Sequence, residues 1–258
     1  MSAVLYHGEP NGPSLAVLAA LAESGLEIEC RRIDLLAGDR HRLPGVTEPI
    51  ARDLSVEGEG PVLVVDGEAM CESVFLAQYL DELAGGCGLQ PKDAYKHWEM
   101  MMWCRQITER LAPAAALLGC MAQPDAAFAG VDAPIVGADL KARWQSLHDG
   151  AVDAAQVADS EGKVASAVQR CEAQLGPNES GGAREWLMGS FSIADLETYG
   201  WLAGMQLLRP AAFEGAPLTI AWLARVKSRP SVQVALGRAT VEEPLRAWAP
   251  GPEINRWG

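Results

Sequence analysis

The stretch Val4-Leu5-Tyr6-His7-Gly8-Glu9-Pro10-Asn11-Gly12-Pro13-Ser14-Leu15 passes from one backbone period to another. An apolar run of strand type ends at Gly8, and Pro10 to Pro13 punctuate the chain. From Ser14 onward Leu15, Leu18, Ala19 and Ala22 recur at helical spacing until Gly25 stops the pattern. The turn leaves Asn11 and Ser14, an amide and a hydroxyl, at the amino end of a helix. Unpaired amides and the helix dipole favour negative charge there.

Working outward, Glu27 to Ile33 alternates and reads as a second strand, and residues 36–58 read as a long loop with one helical turn. Pro61 to Val65 is a third strand, the Asp66-Gly67 pair a hairpin turn, and Glu68 to Cys71 its short partner. Leu76, Tyr79, Leu80 and Leu83 form an amphipathic helix ended by Gly85-Gly86. The order β-α-β, loop, β-β-α is that of a thioredoxin-like domain, here residues 1–84. A Gly-rich linker, 85–92, leads into 93–258, where helical periodicity prevails. Met100, Trp103, Cys104, Ile107 and Leu111 describe one buried face, 121–136 reads as a loop, and 137–175 reads as helix. Ser192-Ile193-Ala194-Asp195 reads as a capping box with Phe191 as its staple. Pro210 and Pro230 mark further helix ends, and Trp248 and Trp257 imply that the tail packs on the body. The expected fold class is an α/β thioredoxin-like N-terminal domain followed by an all-α domain.

The 258 residues carry 21 Lys and Arg against 34 Asp and Glu, a formal net charge of −13. That balance argues against nucleic acid and anionic membrane surfaces as partners. No apolar run reaches the length of a membrane span and the start lacks a signal-peptide pattern, so the expected location is cytoplasmic. The six cysteines are widely and irregularly spaced and the four histidines isolated. No metal site can be assembled from their spacing, and the cysteines read mostly as small buried hydrophobes.

Two further motifs carry chemistry. Gly60-Pro61 opens a strand, and a proline there is tolerable only where its missing amide is not needed by the ladder. Glu72-Ser73 opens a helix, where amides and a hydroxyl suit a carboxylate and an adjacent acid suits an ammonium group. The cations nearest these motifs, Arg40, Arg42 and Arg52, lie in the loop, and spacing selects none of them.

The chain resembles the cytosolic glutathione transferases over nearly its whole length. The resemblance rests on Ser14 at the first helix, on Gly58-Glu59-Gly60-Pro61-Val62-Leu63-Val64-Val65-Asp66-Gly67, on Glu72-Ser73 with Leu76 to Glu82, and on the Phe191 to Asp195 cap. Thioredoxin-like folds carry Cys-Gly-Pro-Cys where this chain has Asn11-Gly12-Pro13-Ser14. Such a site cannot exchange disulfides, yet it can hold and activate a thiol supplied by a ligand. The resemblance implies glutathione as co-substrate, with no metal. Gly60 would pair with its cysteine in the manner of an added strand, Pro61 would follow a cis bond, and Glu72 and Ser73 would take the γ-glutamyl group. Arg40 or Arg52 would hold the glycyl carboxylate. Ser14, with Asn11 as second donor, would lower the thiol pKa; a drop of about two units is worth about 2.7 kcal/mol. Tyr6, in the first strand and expected to face the core, is the lesser rival.

Within that family the helical half is most similar to the bacterial β-etherases that cleave lignin-derived aryl ethers. The similarity lies in Glu99-Met100 with Trp103, in the insertion with Pro134-Ile135, Leu140-Lys141 and Trp144, and in Leu207 to Pro210. It implies thiolate attack on an ether carbon beside a ketone, giving a glutathione thioether and a phenol. Met102, Trp103, Trp144, Tyr199 and Trp201 are the candidates for an aromatic pocket. The alternatives are another glutathione-dependent conjugation, a peroxidase, or a weakly catalytic partner subunit. The family implies a dimer, with an identical chain or a related one.

Overall fold

The computed structural model describes residues 2–43, 59–123, 128–135, 137–177 and 181–251. Strand β1 (Ala3–His7) pairs in parallel with β2 (Glu29–Arg32), and helix α1 (Gly12–Ser24) makes the crossover. Strand β3 (Val62–Val65) runs antiparallel to β1, with Tyr6 opposite Val62, and the Asp66-Gly67 turn folds β4 (Glu68–Met70) back onto β3. The sheet order is β2-β1-β3-β4. Helix α2 (Ser73–Leu83) follows and packs beside α1.

After α2 the residues described contain helices and one isolated bridge, between Pro177 and Ala183. Helix α3 (Ala94–Gln106) runs through a π-helical segment, Ile107–Leu111, into α4 (Ala112–Met121). Pro113 explains the widening: it has no amide to bond backward, and its ring would crowd the carbonyl four residues earlier. The stretch read as helix over 137–175 holds two helices, α5 (Ala138–His148) and α6 (Ala154–Leu175). Gly150, at a φ of +63°, ends the first, and a capping box between Asp153 and Gln156 starts the second. Helices α7 (Ile193–Leu208), α8 (Pro217–Lys227) and α9 (Pro230–Leu236) complete the set, the last two opened by prolines.

The main core lies where α1, apolar on nearly every side, meets α2, α7 and α9. At Gly200 of α7 an added methyl would strike the carbonyl of Gly12, so a residue without Cβ lets α7 press against the start of α1. Asp195 holds the opening of α7. Its carboxylate accepts the amides of Ser192 (3.0 Å) and Leu187 (3.1 Å) and the indole N–H of Trp222 (2.8 Å). Burial still pushes its pKa up to about 6. The stretch after α2 is firmly tied. Asp81 accepts from Gly88, Leu89 and Gln90, and the Ile193 amide donates to the Leu89 carbonyl at 3.0 Å.

A smaller core of Ala133, Ile135, Leu140 and Trp144 fastens the insertion before α5 onto Leu36. There the Gly130 amide donates to the Leu36 carbonyl at 2.8 Å. No helix described is long and apolar enough to cross a membrane. Of the cysteines, all free, Cys104, Cys120 and Cys171 are buried and Cys87 is exposed.

Candidate functional site

The turn between β1 and α1 is held from both sides at Gly8. Its amide donates to Ser14 Oγ at 3.1 Å, and its carbonyl lies 2.8 Å from His7 Nδ1. His7 is buried, and that burial lowers its pKa. Ser14, third residue of α1, is only 1% exposed, with its oxygen turned back to the turn. Asn11 caps the helix in extended backbone. Its amide nitrogen donates to the Ala247 carbonyl at 3.2 Å, and its Oδ1 has no partner.

Two adjoining cavities meet at Pro13 and Trp201. The first, a narrow cleft open to solvent, is bordered by Gly60, Pro61, Glu72, Ser73, Arg40 and Glu197, among others. Thr108, from the π-helical segment, also borders it. The second, about 1050 Å³, lies between Asn11 and Gly12, the Ile33 to Leu36 strand exit, and the segment Ala247 to Ala249.

The first cavity thus brings together four residues singled out for glutathione and one of the two candidate cations. Arg40 sits on a 3-10 turn, Asp39–Arg42, and is 2% exposed, with Nε and Nη1 unpartnered. A buried guanidinium with free donors needs an anion. Arg42 is exposed and donates to the Ala37 carbonyl, while Arg52, with Ser55 and Val56, lies outside the described residues. Glu72 holds a φ of +75°, the sparsely populated conformation that clusters at ligand sites. Gly60-Pro61 differs from the expectation: no peptide bond described is cis. Glycine accommodates the trans form without steric cost.

The aromatic candidates divide. Trp201 borders both cavities, and its indole donates to Glu197 at 2.9 Å. Trp103 lies in the core, its indole donating to Thr198 Oγ1 at 2.9 Å, and Tyr199 is buried in the same core with its hydroxyl unpartnered. Trp144 is buried in the smaller core and donates to Glu59 at 2.9 Å. Met102, 36% exposed, lies on the outer face of α3 with Tyr95 and Trp98. Among the described residues these four border neither cavity. Large rings with a polar edge satisfy the core better than a wet cleft when a buried acceptor is in reach. Tyr6 is half-buried beneath the Arg31 guanidinium rather than in the core.

Three participants escaped sequence reasoning. Glu59 is buried, its carboxylate 2.6 Å from His41 Nε2 and accepting from Trp144, while its amide donates to the Pro250 carbonyl at 3.0 Å. Trp248 stacks on Trp201, with centroids 6.3 Å apart, and is pinned through its backbone by Gln123 at 3.0 and 3.2 Å. Its ring fills a slot that a methyl group at Gly119 or Gly204 would block. Glu197, an acid within an otherwise apolar helix face, carried the clearest available signal.

The N-terminal domain model of glutathione S-transferases matches residues 13–88. Protein LigF of Sphingobium sp. strain SYK-6 is 27% identical over 95% of this chain and 97% of its own length. A glutathione S-transferase of Hyoscyamus muticus is 25% identical over 89% of this chain and 96% of its own. Among solved structures, the β-etherase LigF from Sphingobium sp. strain SYK-6 superposes with a TM-score of 0.74 at 24% identity. It covers 93% of this chain and all of that one. A Pseudomonas fluorescens glutathione transferase family member with two glutathiones bound superposes at 0.64 and 20% identity, over 91% and 92% of the two chains. Residues 13–88 thus belong to the glutathione S-transferase N-terminal domain family, and over nearly its whole length the chain is similar to proteins that share its two-part fold.

Proposed function

We propose that this glutathione transferase uses the glutathione thiolate to cleave β-aryl ether bonds of lignin-derived aromatics. The observation that carries the reading is one cleft with two ends. Gly60-Pro61, Glu72-Ser73 and Arg40 border one cavity, and Trp201 joins it to a second, wider cavity walled by Trp248. LigF, called a β-etherase, spans almost the whole chain. The tripeptide would lie in the first cavity with its sulfur toward Pro13 and the start of α1. The helix amides, the free Asn11 side-chain proton and the Ser14 hydroxyl behind it would favour the thiolate.

The thiolate attacks the carbon bearing the aryloxy group, the C–S bond forms as the C–O bond breaks, and the phenolate leaves to take a proton from water. The adjacent ketone speeds the displacement, so the step calls for no strong general acid. Residues 1–84 would supply the glutathione site and 93–258 most of the electrophile site. The protein would act in the cytoplasm as a dimer joined through Phe75 of α2 and Tyr95, Trp98 and Met102 of α3, all exposed. Incubation with glutathione and each enantiomer of an α-keto β-aryl ether tests the proposal. Release of the phenol with a glutathione thioether supports it, and no release from either enantiomer overturns it.

A second reading, a glutathione-binding subunit with weak catalysis, draws on the burial of Ser14 and its engagement with Gly8. In that case glutathione binds in calorimetry while a broad panel of electrophiles and peroxides stays unconverted.

A further inference from the structure

Glu197 sits in the second turn of α7 and is 1% exposed. One carboxylate oxygen accepts the Trp201 indole, the Ser73 hydroxyl bonds to the group, and Oε2 has no partner at all. Among the described residues no Lys, Arg or His forms an ion pair with it. The side chain nonetheless borders the first cavity together with Glu72 and Ser73. A carboxylate taken out of water with a bare oxygen is costly unless a cation or donor arrives to meet it. Burial accordingly raises its pKa, and an incoming cation would offset that penalty on the charged form.

Glutathione carries a single cationic group, the α-ammonium of its γ-glutamyl arm, and it lies next to the α-carboxylate. The amino end of α2 and the Ser73 hydroxyl suit that carboxylate. An ammonium one carbon away then falls toward the acid that already bonds Ser73. We propose that Glu197 is the buried counter-ion of the γ-glutamyl ammonium. The site thereby selects ligands whose free amine and carboxylate share one carbon. The inference rests on the glutathione reading above. It assigns to α7, in the helical part of the chain, a contact that the Glu72-Ser73 motif alone would leave to Glu72. Trp201 is then a positioning residue here: it fixes one oxygen of Glu197 and leaves the other for the ligand.

The test is calorimetric titration of the full-length protein with glutathione and with glutaryl-Cys-Gly, which lacks only the amine. Wild type should bind glutathione on the order of 30-fold or more tightly than the des-amino analogue. In Glu197→Gln that preference should collapse to a few-fold, through weaker glutathione binding and unchanged analogue binding. Glu197→Leu, which removes the carboxylate without leaving a buried amide, replaces it if the Gln variant does not fold. A folded variant that keeps the full preference overturns the role of Glu197 and leaves the glutathione site standing. A folded wild type that binds neither ligand overturns the glutathione reading and this inference with it.

Discussion

Glu59 Oε1 lies 2.6 Å from His41 Nε2, with both side chains wholly enclosed. The pair ties the turn that carries Arg40 to the residue just before Gly60, and Trp144 braces the same oxygen from α5. Replacing Glu59 by Ala strands two buried ring nitrogens. The expected cost is about 3 kcal/mol, read as a lowered midpoint of thermal unfolding. Affinity for glutathione should fall as well, because Gly60 and Arg40 lose a shared anchor. A variant with wild-type stability and affinity would show that the network is idle.

Arg40→Gln should raise KM for glutathione about 10- to 100-fold and leave kcat nearly unchanged, since the group binds ground and transition states alike. The dipeptide γ-Glu-Cys has no glycyl carboxylate and should be used equally well by wild type and variant. Equal sensitivity of both substrates would assign Arg40 elsewhere.

Asn11 and Ser14 separate in their consequences. Ser14→Ala leaves the buried Gly8 amide without its acceptor and should cost about 1–3 kcal/mol of stability. Asn11→Ala breaks a bond to Ala247 that spans an accessible cleft, so it should cost less. Thiolate absorbance of bound glutathione, titrated against pH, reports the second effect. Both variants should raise the thiol pKa, Asn11→Ala by at least as much as Ser14→Ala. An unchanged titration curve in either variant removes that residue from thiolate stabilisation.

Burial raises the Asp195 pKa to about 6 in the folded state, against about 3.9 for an unperturbed aspartate. Between those values the folded chain holds a proton that the unfolded chain has lost. The contribution of this group to stability therefore declines as pH rises from about 4 through 6, by up to about 3 kcal/mol. Asp195→Asn removes the titration. Thermal midpoints of the variant should be lower throughout, since an amide cannot accept from every donor, and should show a flatter profile between pH 4 and 7. Parallel profiles would mean that Asp195 stays ionised across the range.

Phe75, Tyr95 and Trp98 are exposed on neighbouring helices, and the Tyr95 and Trp98 rings lie 5.5 Å apart. Trp98→Glu should convert a dimer into a monomer by sedimentation while far-ultraviolet dichroism stays unchanged. A wild type that is already monomeric at micromolar concentration would remove the dimer from the proposal.

The fold was legible wherever a local rule decided it. The alternation of Val62 to Val65, the Asp66-Gly67 turn and the 3.6-residue period after Ser73 specify their elements without help from distant residues. The break between α5 and α6 also has a local signature, Asp149-Gly150 followed by Asp153 and Gln156, yet continuous helical periodicity on both sides conceals it. The site divides in the same way. Gly60-Pro61 and Glu72-Ser73 declare themselves because backbone geometry demands those residue types. Choosing Arg40 from among the loop arginines needed coordinates. So did the placing of Trp103, Trp144 and Tyr199, whose rings answer to Thr198, Glu59 and the core. Glu59, Glu197 and Trp248 owe their positions to partners far off in the sequence, such as Pro250 for Glu59 and Gln123 for Trp248, or to helix packing, and no local pattern encodes such a meeting.

Ala247, Trp248 and Ala249 form one wall of a cleft whose floor is the turn from Glu9 into the start of α1. During synthesis the floor leaves the ribosome more than two hundred residues before its wall. A nascent chain can therefore build its sheet and its first helices while the cleft still gapes, with the Gly119–Gly204 slot awaiting its indole. Completion of the catalytic chamber then coincides with the arrival of this late segment, so an interrupted translation product would be folded yet leaky to water.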